Sequence, residues 1–218
     1  MKLKEVTAKI LRIAKQNFRW IVVIFMLLIC FVIVENLFDN EIYIFDDYVY
    51  KYISIIISPK MTMFLKMITS LGSAITVTTL CVLSFVFLKD KIYGKVMTLN
   101  LVIITVINMI IKNIVSRPRP TGFRIIDETG YSFPSGHSMV SMAFYGLIIF
   151  LVYRYVKNNY FKWTLISIFS VLIFLIGLSR IYLGVHYASD VVEGFCISIA
   201  YLILFVHILT RNKIFSKN

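Results

Sequence analysis

Three short clusters in the chain carry side chains able to do chemistry. One reads Ser179-Arg180-Ile181-Tyr182-Leu183-Gly184-Val185-His186-Tyr187-Ala188-Ser189-Asp190. It sets a guanidinium, an imidazole and a carboxylate at the edge of an apolar segment. Ionisable groups at membrane depth are costly, which makes them functional candidates. His186 and Asp190 are four apart and share a face if the stretch is helical. With Arg180 they form a set suited to attack on a phosphate. The second cluster is Lys112, six intervening residues, then Arg119-Pro120, and the third is Pro134-Ser135-Gly136-His137.

The elements that must position these residues are apolar runs. The chain has 218 residues, of which 59% are hydrophobic and only 16% charged. A soluble domain of this size carries more charge. Runs long enough to cross a bilayer recur near residues 18–38, 63–88, 96–115, 138–156, 161–180 and 190–210. They are too long, and too uniformly apolar, for the alternating ten-residue strands of a membrane barrel. The expected fold is therefore all-α, a single domain over 1–218 with about six transmembrane helices. No linker, repeat or low-complexity segment divides it.

The net charge of +12 is not a nucleic-acid signal, because its distribution follows the spans. Lys2, Lys4, Lys9, Arg12, Lys15 and Arg19 precede the first run, and Lys89, Lys91 and Lys95 follow the second. Arg154, Lys157 and Lys162 follow the fourth, and Arg211, Lys213 and Lys217 close the chain. The alternate connections hold most of the acids: Glu35, Asp39, Glu41, Asp46, Asp47, Asp127 and Glu128. This is the positive-inside pattern. It places both termini in the cytoplasm and the basic segments against anionic lipid, in a multi-pass protein of the cell membrane. The first run is longer than a signal-peptide core. Glu35-Asn36-Leu37-Phe38 after it offers no cleavage site, so a retained span is expected. Cys30, Cys81 and Cys196 fall within apolar runs at no metal-ligand spacing, which points to packing.

Span parity brings the three clusters to one membrane face. Lys112 and Arg119 follow the third span, His137 opens the fourth, Arg180 ends the fifth, and His186 and Asp190 open the sixth. The charge bias makes that face the outer one. Residues 39–60, with Tyr43, Phe45, Tyr48, Tyr50 and Tyr52 among acids, read as an interfacial helix with an aromatic belt, or as a lid or lipid-access surface. Pro118 and Pro120 end the third span, since residues before proline avoid helical geometry.

In order and spacing, the clusters resemble the type-2 phosphatidic acid phosphatase family, which is related to vanadium haloperoxidases. Its signature is Lys-x6-Arg-Pro, Pro-Ser-Gly-His and Ser-Arg-x5-His-x3-Asp. All three blocks are complete here, over residues 112–190 of the chain. The resemblance implies that His186 is the nucleophile, Asp190 its orienting partner and His137 the general acid. It also implies that Lys112, Arg119, Arg180, Ser135 and the backbone of Gly136 hold the phosphate. Known haloperoxidase relatives are soluble, unlike this chain.

The residues support the same chemistry on physical grounds. Asp190 can accept the Nδ1 proton of His186 and leave Nε2 free to attack phosphorus, forming a phosphohistidine. His137 can protonate the leaving oxygen and then deprotonate water. One lysine and two arginines can stabilise the equatorial oxygens, and Arg suits this because its fork binds two of them. Backbone N–H groups at a helix start add to the anion site. No metal ion or other cofactor is needed in this scheme.

Plainer roles stand beside these. Lys112 and Arg180 can snorkel to the interface, His137 can cap a helix, and His186 with Asp190 can be a structural pair. Pro134-Ser135-Gly136 can be an ordinary turn before a helix. Arg117 and Arg124 add positive field, or are simply solvated loop residues. Glu193, three residues after Asp190, falls near the site without being catalytic. His207 reads as an interfacial structural histidine.

The expected activity is hydrolysis of a lipid phosphomonoester or pyrophosphate, with the lipid tail held in the bilayer. An outward site suits undecaprenyl diphosphate. Phosphatidylglycerophosphate and phosphatidic acid fit the motifs equally. A phosphotransferase, or a non-enzymatic lipid-binding or transport protein, is the rival from another class. No nucleic acid and no obligate protein partner is expected.

Overall fold

The computed structural model describes residues 2–39, 41–212 and 214, with side chains from residue 16 onward. Lys213, Lys217 and the side chains of Lys2, Lys4, Lys9, Arg12 and Lys15 lie outside the described residues. Regular structure among the described residues is helical: α1 Lys2–Phe38, α2 Ile42–Ser54, α3 Pro59–Ser70, α4 Ala74–Phe87, α5 Lys91–Val115, α6 Gly136–Tyr155, α7 Asn159–Tyr182 and α8 Ala188–Arg211. Five stretches are long and apolar enough to cross a bilayer: Gln16–Phe38, Lys91–Val115, Gly136–Tyr155, Asn159–Tyr182 and Ala188–Arg211. A sixth crossing is made if α3 and α4 are taken together, bent by 44°.

The helix ends follow local chemistry. Ser58, Ser73, Asp90, Ser135 and Asn158 each accept a backbone N–H of the first turn that follows them, satisfying donors that the helix cannot use itself. The run near 63–88 reads in sequence as one continuous span. The structure breaks it at Leu71-Gly72-Ser73, where Ser73 caps α4 and the Thr76 hydroxyl donates to the Ser70 carbonyl at 2.7 Å. Pro59, with no N–H to offer, opens α3 at its first turn. α5 stops at Val115, where Ser116 turns left-handed at φ 52° and sends the chain into the proline-containing loop.

α6 lies at the centre and packs against α5, α7 and α8, while α1 lies along α8, α3 along α7 and α4 along α5. The main core fills the space between α4 and α8 with Val77, Phe144, Leu147, Ile176 and Phe205. A second cluster of Leu65, Ile181, Tyr182, Leu183, Val185 and Val191 sits beneath the α7–α8 turn. Large apolar side chains such as Phe25, Phe31, Phe87 and Phe174 point outward from the spans, as lipid-facing surfaces require. α2 carries exposed Ile44, Phe45, Tyr48 and Tyr52 on one face and buried Asp46 on the other.

Candidate active site

The site forms where four chain segments meet at one end of the bundle: the end of α5, the 116–135 loop with the start of α6, the end of α7, and the start of α8. The α7–α8 turn is tight. Gly184 has φ +71°, and a Cβ there would lie 2.4 Å from the Phe123 carbonyl oxygen, so the turn requires glycine both for its conformation and for the close approach of the loop. The loop is tied back by Ile125 N–H to the Leu183 carbonyl at 3.0 Å. Ser135 N–H donates to the Asp190 carbonyl at 3.0 Å, joining the starts of α6 and α8.

His186 is 3% exposed, and its two ring nitrogens have distinct partners. Nδ1 lies 3.3 Å from Asp190 Oδ2. Arg119 Nη1 lies 3.1 Å from Nε2. A guanidinium can only donate, so Nε2 is the acceptor and the ring proton sits on Nδ1, facing the carboxylate. Burial first, then the nearby Arg180, Arg119 and Lys112, hold the imidazole well below its ordinary pKa. His186 is therefore neutral, with a lone pair on the nitrogen that faces the cations.

Those cations differ in how much of their capacity is used. Arg119 is anchored by Nε to the Gly130 carbonyl at 3.0 Å, by Nη2 to the Thr129 carbonyl at 2.9 Å and by Nη1 to the Val185 carbonyl at 2.8 Å. Lys112 Nζ, half-buried, donates to the Tyr131 carbonyl. Arg180 is 1% exposed. Its Nη1 donates to Thr69 Oγ1 at 3.0 Å, while Nε and Nη2 are buried without a hydrogen-bond partner. Glu128 Oε2 stands 3.0 Å from Nη2 as an ion pair. Burial raises the Glu128 pKa, but Arg180 outweighs it and the net shift is downward. A partly exposed carboxylate thus occupies the side of Arg180 that opens toward the other cations.

His137 lies in the first turn of α6, within electrostatic range of Arg180, Glu128, His186 and Arg119. It also lines a cavity of about 310 Å³ between α4, α5 and α6, together with Gly72, Thr78, Leu101, Asn108 and Val140. Ser135 is fully buried, and its hydroxyl accepts from Ser138 Oγ at 2.9 Å and Ser138 N–H at 3.4 Å. Its side chain caps α6, and the backbone N–H groups of the first turn, Gly136 included, lie at the positive end of the helix.

Four side chains differ from their reading in sequence. Arg117 is no solvated loop residue: it is 3% exposed and bridges Asp46 and Asp190. Asp46, one acid among several on an interfacial helix, is 2% exposed. Glu193 is buried against Cys30 of α1, with Oε2 unpartnered. Glu128, read as part of the acidic bias of an outer loop, reaches Arg180. His207 packs edge-on against Trp20 at the opposite end of the bundle, with ring centroids 5.2 Å apart.

Comparison with known proteins gives a consistent picture. The sequence model of the PAP2 superfamily matches residues 91–214. Phosphatidylglycerophosphatase B of Bacillus subtilis (strain 168) is 29% identical over 164 residues, 73% of this chain and 81% of that protein. The crystal structure of a transmembrane PAP2 type phosphatidylglycerolphosphate phosphatase from Bacillus subtilis matches at TM-score 0.77 and 26% identity, covering 90% of this chain and 98% of that one. Aquifex aeolicus LpxE matches at TM-score 0.61 and 25% identity, covering 73% and 93%.

Proposed function

Because the chain belongs to the PAP2 superfamily and is thereby a multi-pass membrane lipid phosphatase, we propose that it hydrolyses its lipid phosphate through a phosphohistidine at His186. The observation that carries this is the pairing of Nδ1 with Asp190 and of Nε2 with Arg119. It leaves the nucleophilic lone pair directed at the cation cluster.

The steps close on this set of residues. Nε2 attacks phosphorus, the bond to the leaving oxygen breaks, and His137 gives that oxygen a proton. The phosphoimidazole still carries its Nδ1 proton and is cationic, so the Asp190 carboxylate stabilises it. Water then attacks phosphorus and passes a proton to His137, the N–P bond breaks, and phosphate leaves with His186 again neutral. Lys112, Arg119 and Arg180 stabilise the equatorial oxygens, joined by the N–H groups at the start of α6. These cations supply the charge that a divalent metal supplies in other phosphoryl-transfer sites, so the reaction is metal-independent.

The cavity beside His137, whose lining mixes Ala74, Leu101 and Val140 with Thr78, Thr105 and Asn108, offers room for part of the lipid substrate next to the reacting phosphate. Similarity to phosphatidylglycerophosphatase B supports phosphatidylglycerophosphate as substrate. The positive-inside bias supports cytoplasmic termini and an outward site, where undecaprenyl diphosphate is the competing substrate. Phosphate release from phosphatidylglycerophosphate, phosphatidic acid and undecaprenyl diphosphate in detergent micelles tests this. Phosphatidylglycerophosphate is expected to give the highest kcat/KM. A preference of about tenfold or more for undecaprenyl diphosphate would replace the substrate, and no release from any of the three would overturn the mechanism.

A further inference from the structure

Asp190 is held from both of its oxygens. Oδ2 accepts the Tyr187 N–H at 2.9 Å and faces His186 Nδ1 at 3.3 Å. Oδ1 accepts from Arg117 Nη1 at 2.7 Å. Arg117 is fixed in turn: Nη1 also donates to Ser189 Oγ at 2.8 Å, and Nη2 donates to Asp46 Oδ2 at 2.7 Å. Its guanidinium lies between the Tyr187 and Tyr43 rings, 3.9 and 5.0 Å from their centroids. Asp46 closes the ring by accepting the Ser189 N–H and hydroxyl, each at 2.8 Å.

We infer that Arg117 and Asp46 are positioning residues for phosphoryl transfer, acting on His186 through Asp190. This rests on His186 being the nucleophile. Rotating the Asp190 carboxylate to release Arg117 would also carry Oδ2 away from Nδ1. The three charged side chains are at most 2% exposed, so bulk water cannot take over any of these contacts. Arg117 also keeps Asp190 anionic at the moment when His186 becomes a cationic phosphoimidazole. Without that charge, the Nδ1 proton can pass to the carboxylate and the stabilisation is lost. Arg117 does not serve as a phosphate ligand, because both of its terminal nitrogens are committed to the two carboxylates. Arg180 is placed in the opposite way: its Nε is buried without a hydrogen-bond partner, and its Nη2 faces only the partly exposed Glu128. Asp46 makes α2 part of this brace, which gives the interfacial helix a role in the chemistry.

The test compares Arg117→Met, Arg117→Lys, Asp46→Asn and Asp190→Asn in micelles, reading kcat, KM and vanadate inhibition. Arg117→Met should lower kcat by roughly 10- to 100-fold, the usual scale for a partner that orients a reacting group. KM and vanadate affinity should stay within about threefold of wild type. Arg117→Lys should recover part of the loss, because the ammonium keeps a positive charge beside Asp190. The double variant Arg117→Met/Asp46→Asn should be no worse than Arg117→Met alone, since both act along one route. Unchanged kcat in Arg117→Met, or a loss confined to KM and vanadate affinity, would overturn the inference. If Arg117→Met does not fold, Asp46→Asn decides: a lowered kcat at unchanged KM supports the brace, and wild-type kcat overturns it. Wild-type kcat in Asp190→Asn would likewise overturn the inference, whereas lipid dephosphorylation persisting in His186→Ala would overturn the underlying role of His186.

Discussion

An incoming phosphate must compete with Glu128 for Arg180. The carboxylate stands 3.0 Å from Nη2, with 29% of its side chain exposed against 2% for Arg180. Two unit charges at that distance attract by about 1.4 kcal/mol in water and about 5 kcal/mol at an effective dielectric of 20. The net value of a pair with one partly exposed member is far smaller, on the order of 1 kcal/mol, because Glu128 regains solvation when released. Glu128→Gln removes the charge while keeping the side-chain shape, and the remaining neutral contact is about half as strong. Substrate and vanadate should therefore bind about twofold more tightly, the equivalent of about 0.5 kcal/mol. Loss of like-charge repulsion toward the phosphate acts in the same direction. The assay is KM on micellar lipid phosphate together with the vanadate inhibition constant, with kcat as the control. Unchanged or weakened vanadate affinity would refute competition at Arg180. A large fall in kcat would show that Glu128 takes part in the chemistry.

His186 should titrate below the ordinary imidazole value of about 6.5 in the substrate-free protein, because burial and three neighbouring cations disfavour its charged form. The unfolded chain then takes up that proton first as pH falls, so this contribution to stability is complete above about 6.5 and declines below it. Histidine-selective NMR, assigned with His186→Asn, checks this, and a midpoint at or above 6.5 would contradict it. Gly184→Ala combines a positive φ with a backbone clash at 2.4 Å. It should cost at least about 2 kcal/mol, lowering Tm by roughly 4 °C or more. Gly122→Ala, at φ +92° in open space, should cost about half as much, and equal Tm values would remove the steric reasoning. EDTA should leave phosphate release intact, whereas a loss restored by Mg²⁺ would show that the cations alone do not suffice.

The spans were legible because apolar length is a one-dimensional property. The parity of those spans placed Lys112, Arg119, His137, Arg180 and His186 at one end, and they lie there. The break between α3 and α4 was hidden because Ser70-Leu71-Gly72-Ser73 is short and mildly apolar, and only its capping bonds mark it. Arg117 was unreadable for a different reason. It stands between the end of α5 and the Pro118-Arg119-Pro120 run, while its partners Asp46 and Asp190 are 71 and 73 positions away. No local pattern distinguishes such a residue from a solvated one. Asp46 was masked by the acids around it, since only the fold selects which side of α2 turns inward. Glu193, three residues after Asp190, shows another limit: its contact with Cys30 of α1 joins residues far apart in the chain and has no local signal.

The most direct measurement is to trap the phosphoenzyme. Purified protein in micelles, mixed with radiolabelled lipid phosphate and quenched in base within milliseconds, should carry an acid-labile label. Peptide mapping should place that label on His186. His137→Ala should accumulate the label by slowing its hydrolysis, and His186→Ala should carry none while losing phosphate release. Lipid dephosphorylation persisting in His186→Ala, or a label on another residue, would contradict nucleophilic attack by His186.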